Sequence, residues 1–206
     1  MKTVYVIEDF LDEEFFERIV ALCKFQIPFL KDEKNYWCKE GESYVNNVLD
    51  LMARPSNYYI KLKEHLLDTQ LLTKVFRDEL KKIDYEIKDK NIKEVNIEGC
   101  IIPPNSSIQR TKNISLLEDD TNCLNFKMIL FTHEYWDPSW YSDYILYNDI
   151  NKTTIICKPN KLICFITNDV DEYAVYNNSS SYYCSVVCYV KIDCKNISVI
   201  GTEVCV

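Results

Sequence analysis

The stretch Asn125-Phe-Lys-Met-Ile-Leu-Phe-Thr-His-Glu-Tyr-Trp-Asp-Pro-Ser-Trp140, followed after a gap by Lys158-Pro-Asn-Lys-Leu-Ile-Cys-Phe165, decides how this chain folds. It reads as a buried apolar strand, an acidic-aromatic loop, a Pro-containing turn and a second buried strand. Working outward, short β-rich runs recur at 95–102, 107–111, 124–132, 143–148, 153–157, 161–167, 172–176 and 182–192, with further candidates at 196–200 and 203–206. No internal repeat and no low-complexity linker interrupts them.

The first third reads differently. Val4 to Ile7 alternates as a short strand, and Asp9-Phe-Leu-Asp12 caps a helix from about 13 to 24 whose apolar face carries Phe16, Ile19, Val20 and Cys23. Residues 31–43 read as a polar loop and 44–52 as a second helix. After the break at Arg54-Pro-Ser56, a third helix is expected through about Leu67. A fourth spans 71–83, with Leu72, Val75, Phe76 and Leu80 spaced for burial; 81–93 is charged and expected to be exposed. Helices first and strands afterwards give an α+β layout, a single domain in which a helical flank (1–93) precedes a barrel or jelly roll (94–206).

The 206 residues suit one such domain, and 47% hydrophobic with 13% aromatic residues is far from a disordered composition. A formal charge of -8 argues against nucleic acid as partner, because phosphate contacts need a basic surface. No apolar run approaches the roughly 20 residues a membrane span requires, and the start of the chain lacks the pattern of a signal peptide. The expected compartment is the cytoplasm, so the 10 cysteines are read as thiols and the Asn-x-Ser/Thr sequons as chance. With only three glycines, turns must rely on Asn, Asp and Ser. The abundance of Lys, Asn, Ile and Tyr fits an A/T-rich genome such as that of a large DNA virus.

The order of these segments resembles the prolyl-hydroxylase-like branch of the iron/2-oxoglutarate dioxygenases, whose barrel is a double-stranded β-helix (jelly roll) with N-terminal flanking helices. Ile101-Ile-Pro-Pro-Asn-Ser-Ser-Ile-Gln-Arg-Thr-Lys112 is similar to that family's strand ending in His-x-Asp. The Trp-rich loop, the Lys158-Pro-Asn turn and the strand after it follow in the family's order. Where the resemblance places His, Asp, His and Arg, this chain carries Arg110, Lys112, Tyr173 and Tyr183 (or Tyr182). The resemblance covers about half of the chain.

Non-haem iron needs two imidazoles and a carboxylate on one face. The whole chain has two histidines, His65 and His133, neither at a ligand position of the resemblance. A lysine near 4 Å from divalent iron would repel it by roughly 8 kcal/mol at an effective dielectric of 20. Loss of the arginine removes the bidentate partner of a 2-oxoglutarate carboxylate. The resemblance therefore implies a degenerate member: no catalytic residue, no metal and no cofactor. Lys127, like most lysines in strands, is expected to be solvated. The function implied is a protein-interaction module. A viral protein binding a host prolyl hydroxylase in the host cytoplasm is one candidate, as some poxvirus proteins of this class do; a homodimer is another. Tyr135, Trp136, Trp140, Tyr141 and Tyr144 are candidate partner-binding residues, since Tyr and Trp are enriched in hot spots; the competing reading is that they fill the barrel mouth.

Other chemistries are weaker. Cys184 and Cys188, with Cys123, Cys157 and Cys164, lack Cys-x-x-Cys spacing and are expected to be buried thiols. Glu118-Asp-Asp120 with Asp169 and Asp171 reads as solvated turns, not a calcium loop, and His133-Glu134 near Asp137 as a structural loop. An enzyme with different chemistry in the same barrel, or an assembly scaffold, remain the alternatives.

Overall fold

A computed structural model describes residues 4–26, 38–39, 58–61, 67–83, 88, 91–102, 106–112, 123–140, 142–148, 151–167, 170, 172–179 and 183–193. In chain order the elements are β1 (Val4–Ile7), α1 (Glu13–Gln26), β2 (Cys38–Lys39), β3 (Tyr58–Lys61), α2 (Leu67–Ile83), β4 (Ile92–Ile102), β5 (Ser106–Lys112), β6 (Cys123–Phe131), a 3-10 turn (Pro138–Trp140), β7 (Asp143–Asn148), β8 (Asn151–Ile156), β9 (Leu162–Ile166), β10 (Glu172–Asn177) and β11 (Tyr183–Asp193).

Two antiparallel sheets result, ordered β1-β9-β6-β11-β4-β3-β2 and β5-β10-β7-β8. From β4 onward the chain passes back and forth between the two sheets, with only β7 and β8 following one another in the same sheet, which is the winding of a jelly roll. Period-two alternation then divides the buried residues of the larger sheet. From β6 and β11, Met128, Leu130, Val186, Cys188 and Val190 face a core shared with the helices, where Ile19, Leu72, Phe76 and Leu80 enter. Ile129, Phe131, Tyr183, Val187 and Tyr189 face a second core closed by Tyr144, Leu146, Tyr173 and Val175 of the smaller sheet. The functional question concerns this second core.

Two of the expected helices form, α1 and α2. Asp12 Oδ1 accepts the Phe15 N–H at 2.9 Å, the bond of an N-cap, and Glu13 and Glu14 lie in the first turn of α1. In α2, Thr69, Leu72, Phe76 and Leu80 form one buried stripe. An ion pair between Arg18 and Asp68 links the two helices.

The Pro-containing turn quoted at the outset ties the helical flank to the barrel. Asn160 adopts φ 58°, a left-handed conformation that Asn tolerates better than most residues. Its Nδ2 donates to Leu11 O (2.7 Å), and its Oδ1 accepts from Leu11 N (2.9 Å). Its backbone accepts from Phe10 N (2.9 Å) and donates to Phe131 O (3.0 Å). The side chain, N–H and C=O of one residue thus fasten the entry to α1 onto the end of β6.

Three expectations are corrected. Residues 58–61, assigned to a helix on periodicity, form β3 and pair with β4, Tyr58 opposite Ile101. Tyr-Tyr-Ile has high strand propensity, and a long neighbour with an open edge decides the outcome. β4 begins at Ile92, inside the stretch expected to be an exposed charged segment, and Asn91 is buried. The first 93 residues are consequently less helical than expected, since β1, β2 and β3 all join the larger sheet. The expected helix at 44–52 and strands at 196–200 and 203–206 lie outside the described residues, and the other strand assignments hold within a few residues.

Asn160→Ala removes two side-chain hydrogen bonds and adds a Cβ-burdened left-handed residue without polar compensation. The expected loss is about 2–4 kcal/mol. Asn160→Gly, which restores conformational freedom alone, is expected to lose about 1–2 kcal/mol less than Ala does. Chemical denaturation of the two variants checks the order.

Candidate functional site

Between the sheets the chain places a cation among aromatic rings. Lys127 lies mid-way along β6, opposite Tyr189 of β11 and Phe165 of β9. Only 1% of Lys127 is exposed, so the expectation of a solvated strand lysine is overturned. Its Nζ stands 4.9 Å from the Tyr173 ring centroid and 5.4 Å from that of Tyr189. The negative faces of these rings attract the ammonium, and the attraction grows as water is excluded. The rings arrive from strands far along the chain, which is why strand composition alone suggested a wet lysine.

The packing continues ring by ring. Tyr173 stacks on Tyr144 at 5.8 Å, and Tyr144 meets Phe131 at 6.4 Å. Phe131 meets Tyr183 edge-on at 5.8 Å, and Tyr183 meets His133 at 5.4 Å. Tyr183 Oη donates to Cys157 Sγ at 3.4 Å. Burial, then the nearby Cys157, pushes the Tyr183 phenol well above its ordinary pKa, so it stays a neutral donor.

The nucleophiles here are quiescent. Burial raises the Cys157 thiol to about 12 and Cys23 to about 11, against partial compensation from the Tyr183 and Thr132 hydrogen bonds. Cys164 and Cys188 are raised further by burial. A thiol so protonated attacks nothing at neutral pH. His133 is also buried, which lowers its pKa; the backbone of Cys157 and Cys184 lies close enough to oppose that shift. Those contacts lack the alignment of hydrogen bonds, because neither ring nitrogen has a partner of good geometry.

The residues singled out from sequence divide as follows. Tyr173 and Tyr183 both line the inter-sheet core, 1% and 4% exposed. Arg110 and Lys112 lie within β5, but the pairing sets Thr111 opposite Tyr173 and Lys112 opposite Glu172, while Arg110 falls where the register shifts. Tyr144, a candidate partner-binding residue, is a core residue stacked on Tyr173, and that assignment is corrected. Its ring belongs to the inward row of β7, a placement that strand alternation could have indicated. Tyr135 is 65% exposed, and Trp136 and Trp140 are half-buried on the outer loop. Tyr141, Tyr182, Glu118, Asp119, Asp120, Asp169 and Asp171 lie outside the described residues. His133, placed by sequence in the loop away from the ligand positions, packs on Tyr183.

The fold is shared with solved enzymes. A prolyl-4-hydroxylase of Pseudomonas putida superposes with a TM-score of 0.67 at 11% identity, over 93% of this chain and 94% of that one. A Trichoplax adhaerens prolyl hydroxylase, solved with a peptide of the hypoxia inducible factor oxygen degradation domain, gives 0.63 at 9% identity over 97% and 87%. The viral collagen prolyl hydroxylase of Paramecium bursaria chlorella virus-1, solved with 2OG, gives 0.55 at 9% identity over 92% and 96%. No protein-family model matches the sequence, and no curated protein does. The architecture is therefore the double-stranded β-helix of the prolyl hydroxylases and 2OG-Fe(II) oxygenases, with N-terminal helices, as the sequence implied.

That fold brings iron and 2-oxoglutarate into question. Among the described residues no group of three or more His, Cys, Asp or Glu side chains comes together, and Lys127, Tyr173, Tyr183, Tyr189, His133 and Cys157 do not make the two-imidazole, one-carboxylate face that iron requires. A divalent ion seated where the Tyr173 ring lies would stand about 5 Å from the Lys127 ammonium and be repelled by about 7 kcal/mol at an effective dielectric of 20. The described residues do not fit the metal.

Two outcomes follow. In the native protein at pH 8, the buried Cys23, Cys100, Cys123, Cys157, Cys164, Cys184 and Cys188 should resist alkylation and react only on unfolding, as peptide mass mapping will read. The second concerns His133, whose lowered folded pKa means that the unfolded chain binds the proton first. Stability should therefore fall as pH drops below about 6.5, the unfolded value. His133→Phe should flatten that part of the stability–pH curve.

Proposed function

We propose that this chain is a degenerate prolyl-hydroxylase-like protein that performs no oxygenase chemistry and works by binding another protein. The observation that carries the reading is the interior of the barrel. Lys127 and Tyr173 occupy it together, with Tyr144, Tyr183 and Phe131 packed behind them. A cation supplied by the chain itself disfavours a metal ion beside it. Filling the space between the sheets with side chains favours the use of the fold as a scaffold, since a fold does not by itself carry a function.

The solved neighbours are mostly described as hydroxylases or oxygenases, so the proposal rests on this chain's own residues. The sequence bias toward Lys, Asn, Ile and Tyr supports a viral source. A host prolyl hydroxylase is then the proposed partner, because a domain of the same fold can rival that enzyme's own contacts, and the host cytoplasm is the proposed place. Among the described residues no helix is long and apolar enough to cross a membrane.

Two measurements on the purified protein test the reading. Incubated with iron, ascorbate and 2-oxoglutarate, it should release no succinate above a protein-free control; iron-dependent succinate release contradicts the non-enzymatic half. Titrated with a purified oxygen-sensing prolyl hydroxylase, it should form a saturable complex at micromolar concentration; no complex there contradicts the proposed partner.

A further inference from the structure

We infer that the corner made by Tyr135 and Trp140 on the outer loop is a cation-recognition site, and that its occupant is a lysine or arginine side chain of the partner protein. The inference rests on the binding role proposed above and adds the chemistry of what is bound.

The loop that carries the corner is anchored at both ends of the turn. Thr132 N–H donates to Cys184 O (2.9 Å), and Trp140 N–H donates to Asp137 O (3.0 Å). Asp137 Oδ1 accepts from Ser139 N (2.8 Å), and its Oδ2 accepts from Tyr135 Oη (3.4 Å). One carboxylate thus fixes both walls of the corner, closing the 3-10 turn that carries Trp140 while holding the Tyr135 ring. The rings meet at 5.3 Å with planes 79° apart.

Tyr135 is the most exposed large side chain of the described apolar and aromatic set, at 65%. The aromatic residues around it already show what they attract: Lys158 Nζ lies 5.8 Å from the Trp136 centroid, and Lys127 lies over Tyr173 inside. The two rings meet edge to face, so the exposed Tyr135 ring beside the Asp137 carboxylate suits an ammonium or guanidinium, with the ring offering a negative face and the acid a counter-charge. Charge agrees. Asp137 supplies a negative charge at the corner itself, and the whole chain carries -8. Asp137 stays ionised well into acid, because Ser139 holds its carboxyl below the ordinary range. A basic patch on the partner would also be steered toward this surface by the net negative field.

The test uses the indole N–H signals of the ¹⁵N-labelled full chain, with Trp140 assigned through Trp140→Phe. The probes are N-acetyl-arginine amide and N-acetyl-lysine amide, with the neutral Nε-acetylated lysine amide as control at matched salt. Saturable movement of the Trp140 signal is expected with the two cations and not with the neutral control. Tyr135→Ala should weaken it at least fivefold, and Tyr135→Phe, which keeps the ring and drops the hydroxyl, should restore most of it. Asp137→Asn should weaken it without abolishing the folded spectrum. No saturable shift, or an equal response to the neutral control, overturns the site. If the hydroxylase complex forms with unchanged affinity when Tyr135→Ala and Trp140→Ala are combined, the corner is refuted while the binding function stands. If the corner binds the cations and no hydroxylase complex forms, the corner stands and the proposed partner is refuted.

Discussion

A buried lysine constrains everything around it. Removing an ammonium from water costs several kcal/mol even after relaxation, and the faces of Tyr173 and Tyr189 offset part of that cost, about 2 kcal/mol or more when such contacts are dry. For Lys127 to sit between them, β6, β10 and β11 must hold their registers closely. Tyr189 is opposite Lys127 in one sheet, and Tyr173 reaches across from the other. A one-residue slip of β6 would turn the lysine toward the helix-facing core, where Leu72, Phe76 and Leu80 wait. The interior cation therefore specifies the barrel as much as it occupies it.

From this follows the separation of inside and outside that the functional reading uses. A run of ring contacts from Tyr173 through Tyr144, Phe131 and Tyr183 to His133 packs the inter-sheet core. The Cys157 thiol within it is held protonated by burial. Among the described residues, the loop beyond β6 turns aromatic side chains outward, with Tyr135 exposed and Trp140 half-buried. The Asn160 turn fastens the end of β6, from which that loop departs, to the start of α1.

Much of the barrel was legible in the sequence because its strands are short, apolar and separated by polar segments; eight runs read from pattern became β4 to β11. Helix α2 was legible through its 3–4 spacing. The 58–61 strand was not, since Tyr-Tyr-Ile-Lys has no alternation of its own and takes its conformation from pairing with β4. Tyr173 and Tyr183 were found through the resemblance and do lie inside. The pairing of Thr111 with Tyr173 was invisible, because a register shift within β5 and β10 leaves no mark in composition. Lys127 was the larger miss: a lysine amid Asn125-Phe-Lys-Met-Ile carries no local sign of the two rings that receive it. Only a run with its polar residue on the inward parity of β6 hinted at it.

The central claim is that the chain's own side chains fill the place where the fold elsewhere holds a metal. Paramagnetic broadening by manganese(II) in the presence of 2-oxoglutarate tests it most directly, read on the side-chain resonances of Lys127 and Tyr173. The Lys127 methylene protons should be ring-current shifted, and both residues should stay sharp as the ion is added. Selective broadening of Lys127 and Tyr173 at stoichiometric manganese would place a metal inside the barrel and contradict the account.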